Sequence, residues 1–240
     1  MTWSIIARSA EGHFGIAIAS RFFAVGALTM HSQGGVGALA TQALMNPLYG
    51  PRGIERMRQG ADAATVIGSL IADDAGRAHR QVHTIGATGA PTAYTGTACI
   101  DWCGHRVFDD FSVAGNMLAG AQVLDATAQA YRENPALPLA ERLIAAMRAG
   151  EAAGGDKRGR QAAALRIQTD EDYPVLDLRV DDHAQPIEEL ARLYACSLER
   201  FQAFVGCLAG RRDPVGLTNR ADIDARVAAF AAGRGAIAAG

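Results

Sequence analysis

The sequence predicts one α/β domain in which sheets are covered by helices, followed by a helical extension. Three observations carry that prediction. Strand-like and helix-like segments come in blocks: four strands, two helices, three strands, two helices, two strands and a helical tail. That order suits layers of sheet packed under helices. The strand-like segments are rich in Ala, Val and Ile with weak polar alternation, the pattern of strands covered on both faces. The 240 residues are 49% hydrophobic and 20% charged, within the range of ordinary globular chains, with neither an internal repeat nor a low-complexity linker.

Taken in order, Thr2 to Ser9 and Phe14 to Phe22 read as a hairpin across Ala10-Glu11-Gly12-His13, whose glycine suits a short turn. Ala27 to Gln33 and Val36 to Gln42 read as a second hairpin around Gly34-Gly35. Asn46-Pro47 and Gly50-Pro51 mark a turn, after which Gly53 to Arg58 is helical and stops at Gly60. Asp62 caps a second helix running to about Asp73. Gln81 to Ile85 and Thr92 to Ile100 are strands, Cys103-Gly104 is a turn, and Phe111 to Ala114 is a further short strand.

Gly120 to Asn134 is helical, with Val123, Leu124, Ala128 and Tyr131 on one face, and Leu139 to Ala149 is a second helix after Pro135 and Pro138. The glycine-rich, charged stretch from Gly150 to Gly159 is a loop; Ala162 to Gln168 and Val175 to Val180 are strands. The chain is helical again from Pro186 to about Gly210, and Asp222 to Ala232 is a last short helix. Residues 1–185 thus form one domain and residues 186–240 an extension, either part of that domain or an oligomer interface. Leu190, Leu193, Tyr194, Leu198, Phe201 and Phe204 fall near helical spacing. They either cover the protein's own sheet or join copies into a homo-oligomer.

Composition excludes several functions. The formal net charge is −2 with no basic stripe, so no nucleic-acid partner is expected. No uncharged apolar run reaches the length of about 18 residues that spans a membrane. No basic segment followed by a long apolar stretch opens the chain. The four cysteines, Cys99, Cys103, Cys196 and Cys207, are too few for a disulfide scaffold. A soluble cytoplasmic protein is the expectation. Cys99-x-x-x-Cys103-x-His105 is a single cluster, whereas structural zinc takes four ligands, usually as two pairs, so no metal is expected. Cys99 reads as a core residue, Cys103 as a turn residue, and Trp102 and His105 as the mouth of a pocket. Gly34-Gly35-Val36-Gly37 is too short for a phosphate loop, and no nucleotide-binding glycine pattern opens a helix after a strand. No cofactor is expected, and Gly-x-Ser-x-Gly is absent.

Chemistry points to position 2. Thr2 has a small side chain, so removal of the initiator Met is expected, leaving a hydroxyl nucleophile and an α-amino base on one residue. An α-amino group titrates near ~7.7–8.0, close enough to neutrality to take the hydroxyl proton. The alternative is an ordinary threonine in a strand.

Several segments extend this reading: Thr2 to Arg8, Gly15 to Phe22, Ala40-Thr41-Gln42-Ala43, Asn46-Pro47-x-Tyr49-Gly50 and Gly115-Asn116-Met117-Leu118. The most specific is Gly154-Gly155-Asp156-Lys157-Arg158-Gly159-Arg160-Gln161. Together they resemble a domain-of-unknown-function family associated with the N-terminal-nucleophile (Ntn) hydrolase superfamily, over roughly residues 2 to 195. The resemblance implies a four-layer αββα sandwich. It also implies the reaction class, amide hydrolysis through Thr2; because nothing in the sequence suggests a channel for long peptides, a small linear or cyclic amide is the expected substrate.

Site residues follow from the same resemblance. Ser20 and Arg21 end the second strand beside the nucleophile. Asp156, with Arg160 and Gln161, lies near the α-amino group and orients it; read alone, Asp156 is a loop residue capping a turn. Asn116 either caps a helix over 117–134 or points its amide at the substrate carbonyl oxygen. Thr41-Gln42-Ala43 is a source of oxyanion donors, and Arg21 and Arg160 are candidates for holding a substrate carboxylate. Two departures stand against catalysis. Ala19 occupies the place of an aspartate of proteasome-type members, and no lysine lies between Ala24 and Met45, Lys157 being the only one in the chain. Either Arg21 or His31 supplies the missing positive charge, or the protein is an inactive scaffold or ligand-binding protein.

Overall fold

The structure, a computed structural model, describes residues 2–238. β1 (Thr2–Arg8) and β2 (Phe14–Ser20) form the first hairpin. A short α1 (Gly26–Thr29) leads into β3 (Met30–Gln33), which pairs with β4 (Gly37–Ala43). Then come α2 (Tyr49–Arg58) and α3 (Ala63–Ala72), followed by β5 (Arg80–Gly86), β6 (Thr92–Thr95), β7 (Trp102–Val107) and β8 (Phe111–Leu118). α4 (Gln122–Glu133) and α5 (Leu139–Ala152) precede β9 (Ala162–Gln168) and β10 (Leu176–Val180). α6 (Pro186–Ser197), α7 (Phe201–Val205) and α8 (Arg220–Ala238) complete the chain.

The strands make two antiparallel sheets, in the orders β10-β9-β2-β1-β8-β7 and β3-β4-β5-β6. The sheets face each other; α4 and α5 cover the six-stranded one and α2 and α3 the four-stranded one. This is a four-layer αββα sandwich, as expected.

Strand alternation sorts side chains between layers. Ile6, Ile16, Ile18, Ala38, Ala40, Ile85, Ala162 and Ala164 fill the space between the sheets. Leu39 and Val82, one step out of phase, pack with Tyr49, Met57, Val66, Ile67 and Leu70 beneath the helices. β1 and β2 are buried along nearly their whole length, which is why their sequences scarcely alternate. Asp62 caps α3 by accepting the Thr65 N–H at 2.7 Å.

The structure corrects several boundaries. β7 runs through the expected turn at Cys103-Gly104, so Cys103 is a strand residue. Gly104 serves a register shift against β8, with the Trp102 ring lying across it, rather than a chain reversal. β8 continues past Ala114 to Leu118 and the next helix starts only at Gln122, so Asn116 is a strand residue and not a helix cap. Residues 27–29 form a helical turn rather than strand, and β6 stops at Thr95 instead of reaching Ile100.

Packing divides the chain into two units, Met1–Leu190 and Ala191–Gly240. In the second, α7 packs on α8. Among the described residues no helix is long and apolar enough to cross a membrane.

Antiparallel pairing brings the starts of β1, β5 and β9 and the ends of β2, β4 and β8 to one end of the sandwich. Asp74 fixes the loops there. It accepts from the Tyr49 hydroxyl (2.8 Å), Arg80 Nε (2.9 Å), Asn46 Nδ2 (3.2 Å) and the Gly76 N–H (2.7 Å), and the Arg80 guanidinium holds its carboxyl far below the usual range. Replacing Asp74 by Ala strands Arg80 and the Tyr49 hydroxyl. Urea unfolding of Asp74→Ala is expected to show a loss of about 3 kcal/mol, well above a surface change.

Candidate active site

Thr2 heads β1, the strand flanked by β2 and β8 in the six-stranded sheet. Alternation turns Thr2, Ser4 and Ile6 toward the facing sheet and Trp3, Ile5 and Ala7 toward the helices. Thr2 is buried, sits opposite Asn116 in the β1–β8 register, and donates from Oγ1 to Ser20 Oγ at 3.1 Å.

Asp156 closes this end. The loop before β9 folds back through glycines at positive φ, Gly154 (+119°), Gly155 (+48°) and Gly159 (+110°), a path that side chains with a Cβ resist. Leu118 and Asp156 meet in an isolated antiparallel bridge. The Asp156 side chain is only 1% exposed, so its charge needs partners. Oδ2 accepts the Arg21 N–H at 2.7 Å, Oδ1 accepts the Arg158 N–H at 2.8 Å, and Arg158 Nη2 lies 3.3 Å from Oδ2. The carboxylate therefore makes a local Asx turn and also ties that loop to the end of β2.

Beneath Thr2 the layer between the sheets turns polar. Ser4 Oγ donates to Gln42 Oε1 (2.7 Å), and Gln42 Nε2 donates to Gln81 Oε1 (2.8 Å). Asn116 Nδ2 donates to the same oxygen at 3.0 Å and reaches the Thr2 carbonyl at 3.5 Å. Gln81 Nε2 lies within 2.8–3.0 Å of Gly115 O, Thr95 Oγ1 and Gly104 O. His83 lies 2.8 Å from Ser4 Oγ through Nε2 and 2.8 Å from Ser112 Oγ through Nδ1. Because the Ser4 proton goes to Gln42, His83 Nε2 carries the hydrogen and Nδ1 accepts from Ser112. Complete burial pushes the His83 pKa down to about 3, so the ring is neutral. Two non-glycine residues in left-handed backbone, Ala43 (φ +68°) and Met117 (φ +53°), directly follow Gln42 and Asn116 and turn the chain away.

The structure thus gathers Thr2, Ser20, Gln42, Asn116, Asp156 and the Arg21 backbone at one end. The Arg21 guanidinium donates to the Arg158 carbonyl at 3.0 Å. His105 joins the network through Thr95, 2.9 Å from its Nδ1, and burial lowers its pKa. A cleft of about 110 Å³ is lined by Trp3, Ser20, Glu151, Asp156 and Arg160 among others, and so reaches the hydrogen-bond partner of Thr2 rather than Thr2 itself. Within it, Arg160 Nε lies 3.2 Å from Glu151 Oε1, a buried oxygen that has no hydrogen-bond donor; burial raises the Glu151 pKa.

Three candidates fall elsewhere. His31 pairs opposite Leu39 and its ring packs against Gly50 of α2, on the outer face of the smaller sheet, so it supplies no charge near Thr2. Thr41 also faces outward, its hydroxyl donating to the Asn46 carbonyl at 3.4 Å. Gln161 donates to Asp182 on the surface at 3.2 Å. Sequence reasoning missed Ser4, Gln81, His83, Ser112 and Glu151. A signal existed for two of them: Gln81 and His83 alternate with Val82 and Thr84 in a strand read as buried.

An αββα sandwich with a threonine heading a central strand and a polar seam beneath it defines the class of molecule. The chain belongs to a family of unknown function, DUF1028, whose model matches residues 2–190. It is similar to the crystal structure of protein SPO2555 from Silicibacter pomeroyi, assigned to the same family. The TM-score is 0.84 at 27% identity, covering 91% of this chain and 99% of that one. Anbu, an ancestral beta-subunit from Yersinia bercovieri, aligns with a TM-score of 0.41 and 10% identity over 82% of this chain and 94% of that one, too distant to carry an argument. Among curated proteins none matches.

His83 makes stability depend on pH. Its folded pKa lies below the unfolded value of about 6.5, so unfolded chains take up a proton that folded ones refuse, and stability falls as pH drops from about 6.5 toward 3. Between pH 7 and pH 5 this single group is expected to remove about 2 kcal/mol. Denaturant unfolding at both values, compared with His83→Gln, isolates the effect; an equal fall in the variant would assign it to other groups.

Proposed function

We propose that the protein is an Ntn-type amidohydrolase acting on a small linear or cyclic amide, with Thr2 as nucleophile once Met1 is removed. The observation that carries this reading is the placement of the Thr2 hydroxyl. It lies at the head of a central strand, 3.1 Å from the Ser20 hydroxyl and in register with Asn116, with the Asp156 carboxylate clamped to the residue after Ser20.

In this mechanism the Thr2 α-amine takes the hydroxyl proton as Oγ1 bonds to the amide carbon. The carbon–nitrogen bond then breaks, the amine leaves with that proton, and an ester to Thr2 remains. Water, deprotonated by the Thr2 α-amine, attacks the ester carbon; the bond to Oγ1 breaks, Oγ1 takes that proton back, and the acid leaves. Asn116 acts chiefly as a positioning residue here, because its amide protons go to Gln81 and the Thr2 carbonyl. Oxyanion donors then come from backbone N–H groups at the strand ends. The reading as an inactive scaffold is favoured by one feature: Ala19, not an acid, precedes Ser20, and no lysine lies between Ala24 and Met45.

Intact mass of the purified protein is expected to show loss of Met1. Hydrolysis of a panel of small amides is then expected to fall about a thousandfold or more in Thr2→Ala, and to persist in Thr2→Ser. Retained Met1 in a processing-competent host, or full activity in Thr2→Ala, rejects the mechanism.

A further inference from the structure

Exposed apolar side chains in residues 2–190 are not scattered. Phe22, Phe23, Leu28, Leu44, Leu48 and Ile100 are each at least half exposed, and all stand in segments at the Thr2 end. At the opposite end only Val107 and Leu137 among the described residues are exposed large hydrophobics, each less than half. Single exposed hydrophobics are ordinary, but a set gathered around one mouth marks a binding surface.

Charge at the same rim has one sign left over. Arg158 faces Asp156, and Lys157 faces Asp101 at 2.5 Å. Arg160 faces the buried Glu151 carboxyl, whose pKa burial raises, and lies within electrostatic reach of Glu188, whose carboxylate Arg148 already pairs. Arg21 ion-pairs with no carboxylate among the described residues; its guanidinium donates to a backbone carbonyl and lies against Gly159. Arg21 is also the residue immediately before Phe22 and Phe23. A cation therefore stands at the root of an exposed apolar ridge, beside the cleft that reaches Ser20.

We infer that this end of the sandwich binds an amphipathic carboxylate, an N-acylated amino acid whose carboxylate meets Arg21 and Arg160 and whose hydrocarbon chain lies along Phe22, Phe23, Leu44 and Leu48. Such a molecule carries its amide bond between the two anchored parts, so the choice of an amide rests on the amidohydrolase reading, while the head and tail chemistry does not. A second copy of the chain fits the surface less well. A two-fold contact over this rim would set Arg21 and its neighbouring cations against their own copies.

The test is titration calorimetry on the Thr2→Ala protein, which cannot turn over substrate by the proposed route. The probes are N-decanoylglycine below its micelle-forming concentration, its methyl ester and N-acetylglycine. The acid is expected to bind about tenfold or more tightly than either analogue, the factor a charge-assisted hydrogen bond supplies. Arg21→Met is expected to erase the preference for acid over ester, and Phe22→Ser with Phe23→Ser the preference for decanoyl over acetyl. Equal binding of acid and ester, or no binding of the acid, overturns the inference. So does sedimentation in which the paired Phe variant converts an oligomer into a monomer, since the rim is then an interface between copies. The two readings fail separately: hydrolysis of neutral amides without binding of the acid leaves only the activity, and binding without turnover in the wild type leaves only this inference.

Discussion

Gln81 accepts the amides of Gln42 and Asn116 on one oxygen and directs its own amide at Gly115, Gly104 and Thr95. One side chain on β5 thereby ties together four strands, β4 and β6 of its own sheet and β7 and β8 of the facing one. Elsewhere the interlayer is hydrocarbon, and hydrocarbon holds sheets together without dictating their register to within a hydrogen bond. Buried amides do dictate it, because a shift that breaks one leaves a polar group stranded without water. The position of Thr2 follows. Its strand is locked against β8 in register, and its neighbour across that register is the Asn116 whose amide belongs to the seam.

The same constraint explains why the seam is neutral. Ser4, Gln42, Gln81, Ser112 and Asn116 carry no charge, and His83 is held unprotonated by burial. A charge in that layer would need a paired partner of opposite sign, and the hydrocarbon alongside offers none. Charge lies above it: Asp156, Lys157, Arg158 and Arg160 stand in the loop before β9 and Glu151 in the last turn of α5, paired among themselves or, for Lys157, with Asp101. The end of the sandwich is thus stratified, with a neutral floor, a hydroxyl pair above it, and a charged collar over both.

Much of the layering was legible because it depends on composition and block order. Apolar strand blocks alternating with helix pairs have few other ways to bury both faces. β7 was not legible, since Trp102-Cys103-Gly104-His105-Arg106-Val107 is a half-exposed edge strand with no alternation, and its glycine mimicked a turn while serving a bulge. That error carried into the site, because a β8 cut short at Ala114 left Asn116 outside the sheet. His31 and Thr41 were misplaced for a related reason. β4, buried on both faces, gives no sign of which parity looks inward, and one residue of parity separates Gln42 in the seam from Thr41 under the helices; His31 lies on the half-buried edge strand β3, with the same outward parity as its partner Leu39.

The missing lysine bears on what the collar does. A free α-amine serves as a base only when neutral, so the proposed chemistry needs its proton held loosely. A bare carboxylate beside the amine would favour the ammonium form. Asp156 is not bare: two backbone N–H groups and the Arg158 guanidinium already share its charge. Arg21, with its guanidinium left over after a single carbonyl contact, adds positive potential on the same side. Under the mechanism proposed above, these loop cations are the positive charge the chain offers at this end in place of a lysine between Ala24 and Met45. The tether is the backbone N–H of Arg21, which binds Asp156 while the side chain of the same residue supplies the charge.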